Sequence, residues 1–219
     1  EREQFKQSID RFPAVYDMLA KMKAKLVASR ALLYETTKNV DLRTCYIHLS
    51  EDPEKANAEN KAAAKYYTEV AATLTPMSKA LSTESANQIA YDCIQIHGGT
   101  GYMHDFDSER LYRDVRITNI YEGTTQLQVV AAIGGVMQRD ADKRLNEMFA
   151  LEYTGESARL AELVKAMYAK QLEAVKFVAD RKDVAYHDLH ARDLVEMETY
   201  VFVGMLMLRD AQKCEDRFV

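Results

Sequence analysis

Gln95-Ile96-His97-Gly98-Gly99-Thr100-Gly101-Tyr102, Arg110-Leu111-Tyr112-Arg113-Asp114 and Tyr121-Glu122-Gly123-Thr124-Thr125 concentrate the residue types in this sequence that could do chemistry. Three glycines in four residues permit positive φ and let another group approach the backbone closely. Glu122 is one carboxylate set among a glycine and two small hydroxyls. Alone, that carboxylate says little, because most glutamates are solvated. Singly, these signals are weak. A Gly-Gly-x-Gly run after a helix is also an ordinary stop signal. It is no phosphate loop, since no strand precedes it and no Gly-Lys-Ser/Thr follows. His97 and His104 flank the cluster without a cysteine or acid to complete a ligand set, so no metal is expected. His187 and His190 read as a solvated helix start, and Arg113 with Asp114 as a fold-holding ion pair.

The elements that must position these residues are helical. Asp10 is placed to cap a helix whose first turn holds Pro13. Positions Phe12, Tyr16, Leu19, Met22 or Lys23, Leu26 and Leu33 then recur near helical period, predicting a helix to about His48. Leu49 to Asn57 forms a loop, and a second helix covers Asn60 to Leu74. Thr75-Pro76 either starts another helix to Ile96 or kinks one long helix. The glycine cluster ends it. Ser108 is expected to cap a short helix through Val115, with Ile117 to Tyr121 irregular. Thr124 or Thr125 caps a helix from Gln126 through Glu147. Two long helices follow, Glu156 to Lys182 and Asp188 to Arg217. No period-two pattern persists, so the fold class is all-α: an antiparallel four-helix bundle over residues 1–150 plus an extra helical hairpin over 151–219.

Composition supports that reading. The chain has 219 residues, 47% of them hydrophobic, with 8 glycines and 3 prolines to interrupt helices. A net charge of −5 gives no electrostatic reason to expect nucleic acid. No apolar run is long enough to span a bilayer. Three scattered cysteines give neither a disulfide framework nor a metal spacing, which favours a reducing, cytoplasmic compartment. Glu1 in place of methionine, and a last segment without a stop signal, read as a fragment of a longer chain.

The spaced set Gln95, Gly98, Gly99, Gly101-Tyr102, Asp105, Arg110, Asp114 and Tyr121-Glu122-Gly123-Thr124 resembles the C-terminal signature of the acyl-CoA dehydrogenases. The spacing from Gln95 through Gln126 fits without a gap, and the likeness extends back to Arg2-x-x-Phe5. It covers about residues 1–140; the rest looks like the extra helices of larger bacterial-type members. The resemblance implies FAD-dependent α,β-dehydrogenation of an acyl-CoA thioester, with Glu122 as the base that removes the α-proton. It implies that Tyr121 and Gly123 line the acyl or CoA channel and that Thr124 and Gln126 touch the flavin. Arg2, Phe5, Gln95, Gly98 and Gly99 would meet the adenosine diphosphate half of an FAD held mainly by a neighbouring subunit. Electron-transferring flavoprotein as acceptor and a homo-oligomer, tetramer or dimer, are further implications. The isolated fragment is expected to be inactive.

Three positions depart from the family pattern. Lys6 stands where glycine usually follows the phenylalanine. Pro13 replaces a glutamine, and Ala131-Ala132-Ile133-Gly134-Gly135 replaces a segment that often carries an arginine. Two other readings compete: an acyl-CoA oxidase, and a non-enzymatic helical assembly or binding module in which Glu122 is vestigial.

Overall fold

The computed structural model describes residues 2–213. Proline's missing N–H costs nothing at the first helical position, and Pro13 opens α1 (Pro13–Glu51) there. Phe12, not Asp10, stands at its N-cap, and no side chain caps it. A short turn reverses the chain into α2 (Ala58–His97), where Asn57 Oδ1 accepts from the Asn60 amide at 2.8 Å. Of the two readings of Thr75-Pro76, the continuous helix holds: Pro76 lies inside α2 and is buried there. The two long helices form an antiparallel hairpin and pack along each other.

The chain then makes short elements: α3 (Gly99–Tyr102), α4 (Ser108–Val115) and a 3-10 turn (Arg116–Asn119) where irregular chain was expected. Ser108 does not cap α4. It is the first helical residue, and its hydroxyl donates to the Gly101 carbonyl at 2.8 Å. The expected helix Gln126–Glu147 is two helices, α5 (Thr125–Gln138) and α6 (Asp142–Phe149). Between them Arg139 is left-handed at φ 63°, and the Asp140 amide donates back to the Gly135 carbonyl at 3.0 Å. Gly135 lets α5 lie directly on α2, since a Cβ there would overlap Thr73 Oγ1. Helices α7 (Gly155–Arg181) and α8 (Val184–Ala211) form the final hairpin. α8 starts four residues before the expected Asp188, because Asp183 Oδ1 accepts from the Tyr186 amide at 3.1 Å. The expected end at Arg217 lies outside the described residues. Among the described residues no helix is long and apolar enough to cross a membrane.

The fold is all-α apart from a small N-terminal hairpin. Strands β1 (Glu3–Gln4) and β2 (Gln7–Ser8) pair antiparallel, Gln4 opposite Gln7. Their two-residue turn is Phe5-Lys6, with φ 50° and 68°. Two consecutive positive φ values are the type I′ pattern, which favours glycine at the second place.

One apolar core runs through the whole molecule. Leu32 of α1, Leu74 and Met77 of α2, Leu145 of α6 and Phe202, Met205 and Leu206 of α8 are fully buried in it. Of the residues that recur at helical period along α1, Tyr16, Leu19, Leu26 and Leu33 are exposed, at 66, 38, 51 and 47%. The face that α1 buries is Ala31, Leu32, Glu35, Thr36 and Asn39. The periodicity marks an apolar face that is left open among the described residues.

Glu35 is the polar centre of that core. Its carboxylate accepts from Arg144 Nε at 2.6 Å and from Arg209 Nη1 at 2.8 Å, tying α1 to α6 and α8. Burial alone would raise its pKa; the hydrogen bonds and charges of the two arginines outweigh burial and hold it at about 2. A depressed carboxylate contributes stability above its unfolded value, lost as pH falls through its folded one. Set against the ordinary value of 4.5, that contribution is about 3 kcal/mol at neutral pH. Glu35→Gln is therefore expected to lower unfolding free energy by about 3 kcal/mol at pH 7. In denaturant titrations the gap between wild type and variant should narrow below pH 4.5 and close toward pH 2. Lys6→Gly is expected to act the other way, raising stability by about 0.5 kcal/mol through relief of the left-handed strain. Slower proteolysis within the first ten residues would report it.

Candidate active site

A tight turn between the 3-10 segment and α5 carries Glu122. Glu122 itself is left-handed at φ 51°, and Gly123 follows at φ +95°. A non-glycine residue in that region is costly and persists only where its surroundings impose it. Here the surroundings are two side chains from different helices. The Lys79 ammonium, on α2, donates to the carbonyls of both Tyr121 and Gly123. It also lies 5.3 Å from the centroid of the Tyr121 ring. The Gln128 amide, on α5, donates to the Glu122 and Gly123 carbonyls, each at 3.3 Å. Thr124 Oγ1 accepts from the Leu127 amide at 3.4 Å and so caps α5, one of the two expected caps. Thr125 Oγ1 donates to Glu84 Oε1 at 2.5 Å, fixing the start of α5 to α2.

The Glu122 residue this turn presents is exposed, as are Tyr121, Thr124 and Gln126, while Gly123 is half-buried. The base that the family resemblance implies would be desolvated; among the described residues nothing covers Glu122. Tyr121, Glu122, Gly123, Thr124 and Gln126 are thus brought together on one open surface.

The second group lies at the far end of α2. The Arg2 guanidinium donates from Nη1 to the His97 carbonyl at 2.8 Å. A Cβ on Gly98, which sits at φ +67°, would come within 2.9 Å of that nitrogen. Gly101 is equally constrained, by His97 Cβ and the Ile94 carbonyl. Gly99 is not: a Cβ there would meet nothing within 4 Å. Arg2, Phe5, Gln95 and Gly99 are exposed, and the Phe5 ring stands edge-on to Phe12 at 6.2 Å between centroids. Lys79 and Gly98 are 19 residues apart on α2 or its cap, about 28 Å along a helix. The two groups therefore do not form one site within the chain. The exposed guanidinium and the open Gly99 backbone are chemically suited to an anionic, flat-ended ligand such as a dinucleotide.

Several nearby residues resolve into structural roles. Arg113 pairs with Glu109 at 3.2 Å and not with the expected Asp114. His97 Nδ1 is bonded to the Cys93 carbonyl at 2.8 Å, and burial pushes the Cys93 thiol up, away from a reactive thiolate. Lys79, Gln128 and Glu84 had no signal in the sequence. A lysine or glutamate inside a helix reads as a solvated side chain, and the Lys79 contact joins residues 42 apart.

Two family profiles match the chain. One described as "Acyl-CoA dehydrogenase, C-terminal domain" covers residues 1–134, and one described as "Acyl-CoA dehydrogenase C terminal" covers 141–219. Among curated proteins, a 3-(aryl)acrylate reductase of Clostridium sporogenes is 36% identical over 63% of this chain and 30% of its own length. A 3-methylmercaptopropionyl-CoA dehydrogenase of Ruegeria pomeroyi is 36% identical over 63% of this chain and 22% of its own. The chain thus spans a third or less of the curated relatives it matches. Among solved structures, an acyl-CoA dehydrogenase complexed with FAD from Bacillus anthracis superposes with a TM-score of 0.74 at 24% identity. The match covers 99% of this chain and 38% of that one. ACDH-11 of Caenorhabditis elegans, in complex with C11-CoA, gives a TM-score of 0.77 at 21% identity, over 98% of this chain and 35% of that one. At those identities the likeness is one of fold, and it extends over the α7–α8 hairpin.

Proposed function

Since the chain belongs to the acyl-CoA dehydrogenase family, as its C-terminal helical portion, we propose that it supplies the base for α,β-dehydrogenation of an acyl-CoA thioester. The observation that carries this reading is Glu122: an exposed carboxylate on a left-handed residue, in a turn whose carbonyls are anchored from two helices. Arg139 and Lys182 carry a positive φ at helix ends as well; what sets Glu122 apart is that its turn is anchored by side chains of two helices, as strained residues at functional sites are. In this reading residues 1–150 bear the site and residues 151–219 add the hairpin.

The proton that Glu122 removes is the α-proton of the thioester, which is only weakly acidic. The carboxylate must lose water to become basic enough. In this chain it is open, so the covering surface comes from the substrate and from the rest of the enzyme. Tyr121 and Gly123 line the acyl or CoA channel, and Thr124 and Gln126 contact the cofactor. Arg2, Phe5, Gln95, Gly98 and Gly99 receive the adenosine diphosphate end of a second FAD, held by a neighbouring subunit. The separation of the two groups along α2 suits that division. Bound FAD would supply the acceptor for the hydride leaving the β-carbon. The exposed stripe Tyr16, Leu19, Leu26 and Leu33 suits packing against another copy of the chain in a homo-oligomer. Electron-transferring flavoprotein fits as acceptor; one relative is named as a subunit of a caffeyl-CoA reductase-Etf complex.

A second reading has specific support. Relatives at 36, 33 and 46% identity carry the names of reductases, of 3-(aryl)acrylate, caffeyl-CoA and acryloyl-CoA. By microscopic reversibility the same carboxyl, protonated, would then deliver the α-proton during reduction of an enoyl group.

In the full-length enzyme, Glu122→Gln is expected to bind FAD normally and to lose flavin reduction by acyl-CoA by at least ~1,000-fold, the cost of deleting a general base beside a poorly acidic proton. Near-normal reduction, followed by flavin bleaching, would refute Glu122 as the base. The chain of 219 residues alone is expected to show no dye-coupled turnover of butyryl- or octanoyl-CoA. Detectable turnover would place a complete site within it.

A further inference from the structure

The geometry points to Lys79 as the positioning residue of the catalytic turn: its ammonium, clamped on the carbonyls either side of Glu122, holds that residue in the conformation that presents its carboxylate. The inference rests on the reading of Glu122 as the base.

Lys79 lies on α2, beyond the buried Pro76-Met77-Ser78 stretch, and is itself half-buried. Among the described residues it enters no carboxylate ion pair. Its donors go to two main-chain carbonyls, those of Tyr121 and Gly123, and its charge lies against the Tyr121 ring. A lysine ammonium is a compact cation with several donors, suited to gathering carbonyls that point to one spot. The carbonyls of residues i and i+2 converge only when the residue between them is turned sharply. Glu122 at φ 51° and Gly123 at φ +95° supply that turn. The ammonium therefore stabilises the one backbone arrangement that the Glu122 side chain would otherwise disfavour.

Gln128 cannot do this alone. Its amide reaches the Glu122 and Gly123 carbonyls at 3.3 Å, a neutral and longer contact, and leaves the Tyr121 carbonyl untouched. The Tyr121 amide still donates to the Ile117 carbonyl at 3.0 Å, but without Lys79 the Tyr121 carbonyl loses its side-chain partner, and the Tyr121–Glu122 peptide gains freedom to rotate and carry the carboxylate with it. A misplacement of about 1 Å costs about 100-fold in rate. Lys79 acts through Glu122 and need not touch the substrate, so binding of the thioester is expected to survive its loss.

The test uses full-length enzyme carrying FAD. Lys79→Met keeps the length and the apolar stem and removes both donors and charge. Flavin reduction by acyl-CoA is expected to fall about 10- to 100-fold, with the acyl-CoA dissociation constant changed less than about threefold. Lys79→Arg, which keeps the charge and offers a fork of donors, should recover most of the rate. Without substrate, amide hydrogen exchange in a peptide covering 120–125 should accelerate in Lys79→Met, while the rest of α2 stays protected. Lys79→Gln, which keeps a neutral amide donor group and loses the charge, guards against loss of folding and is expected to fall between Lys79→Met and Lys79→Arg. A wild-type reduction rate in folded Lys79→Met overturns the proposal, as does unchanged exchange at 120–125 in it; should Lys79→Met not fold, a wild-type rate with unchanged exchange in Lys79→Gln does so. Glu122→Gln, run in parallel, separates the two claims. If it is inactive while Lys79→Met is normal, the base stands and the clamp falls. If it is active, the base falls and the clamp with it.

Discussion

Glu35 joins residues that are 109 and 174 positions away in the sequence, and the order of the whole bundle follows from that. Its carboxylate sits on the buried face of α1, between Arg144 of α6 and Arg209 of α8. Each arginine has a second acidic partner, Glu147 and Asp210 respectively. A buried ion of this kind is tolerable only when its lone pairs are occupied, and three helices must be in place before they are. With α8 held against α1, α5 is trapped between α8 and α2, and Gly135 lets it press onto Thr73. The turn that precedes α5 then has one place to go, under Lys79 and Glu84 of α2. The additional α7–α8 hairpin is in this sense part of what steadies the turn.

α2 serves as the ruler for the functional surface. One end carries the glycine turn that Arg2 caps from the N-terminal hairpin. Its middle anchors the Glu122 turn. Both surfaces are open, and between them they ask for partners that lie outside the described chain. The proposed assignment of one to an adenosine end and the other to a reacting thioester treats the chain as a contributor to two sites.

The long helices and the glycine turn that ends α2 are legible in the sequence, because they are local properties. Pro13 and Thr124 are local signals, and they mark starts that the structure keeps; Asn57, the last residue of the expected loop, proves to be the cap of α2, which starts two residues before the expected Asn60. What the sequence hid was set by distant contacts. The break at Arg139 has no glycine at the left-handed place, so apolar period runs through it. Tyr16, Leu19 and Leu26 repeat as a core stripe does, yet α1 has two such faces and the chain covers the more polar one. The sign of Lys79 is invisible without its partners 42 and 44 residues on. The Glu122 carboxylate was singled out by the family resemblance; its left-handed backbone needed coordinates, since glutamate is no usual occupant of that region.

In the proposed role Glu122 exchanges a proton with the α-carbon of a thioester. The most direct measurement is solvent deuterium incorporation at that carbon, followed by NMR, with FAD-loaded full-length enzyme under anaerobic conditions. Incorporation is expected with the wild-type enzyme, and none above the uncatalysed background with Glu122→Gln. Incorporation by Glu122→Gln at the wild-type rate would contradict that role and move the proton transfer to another residue.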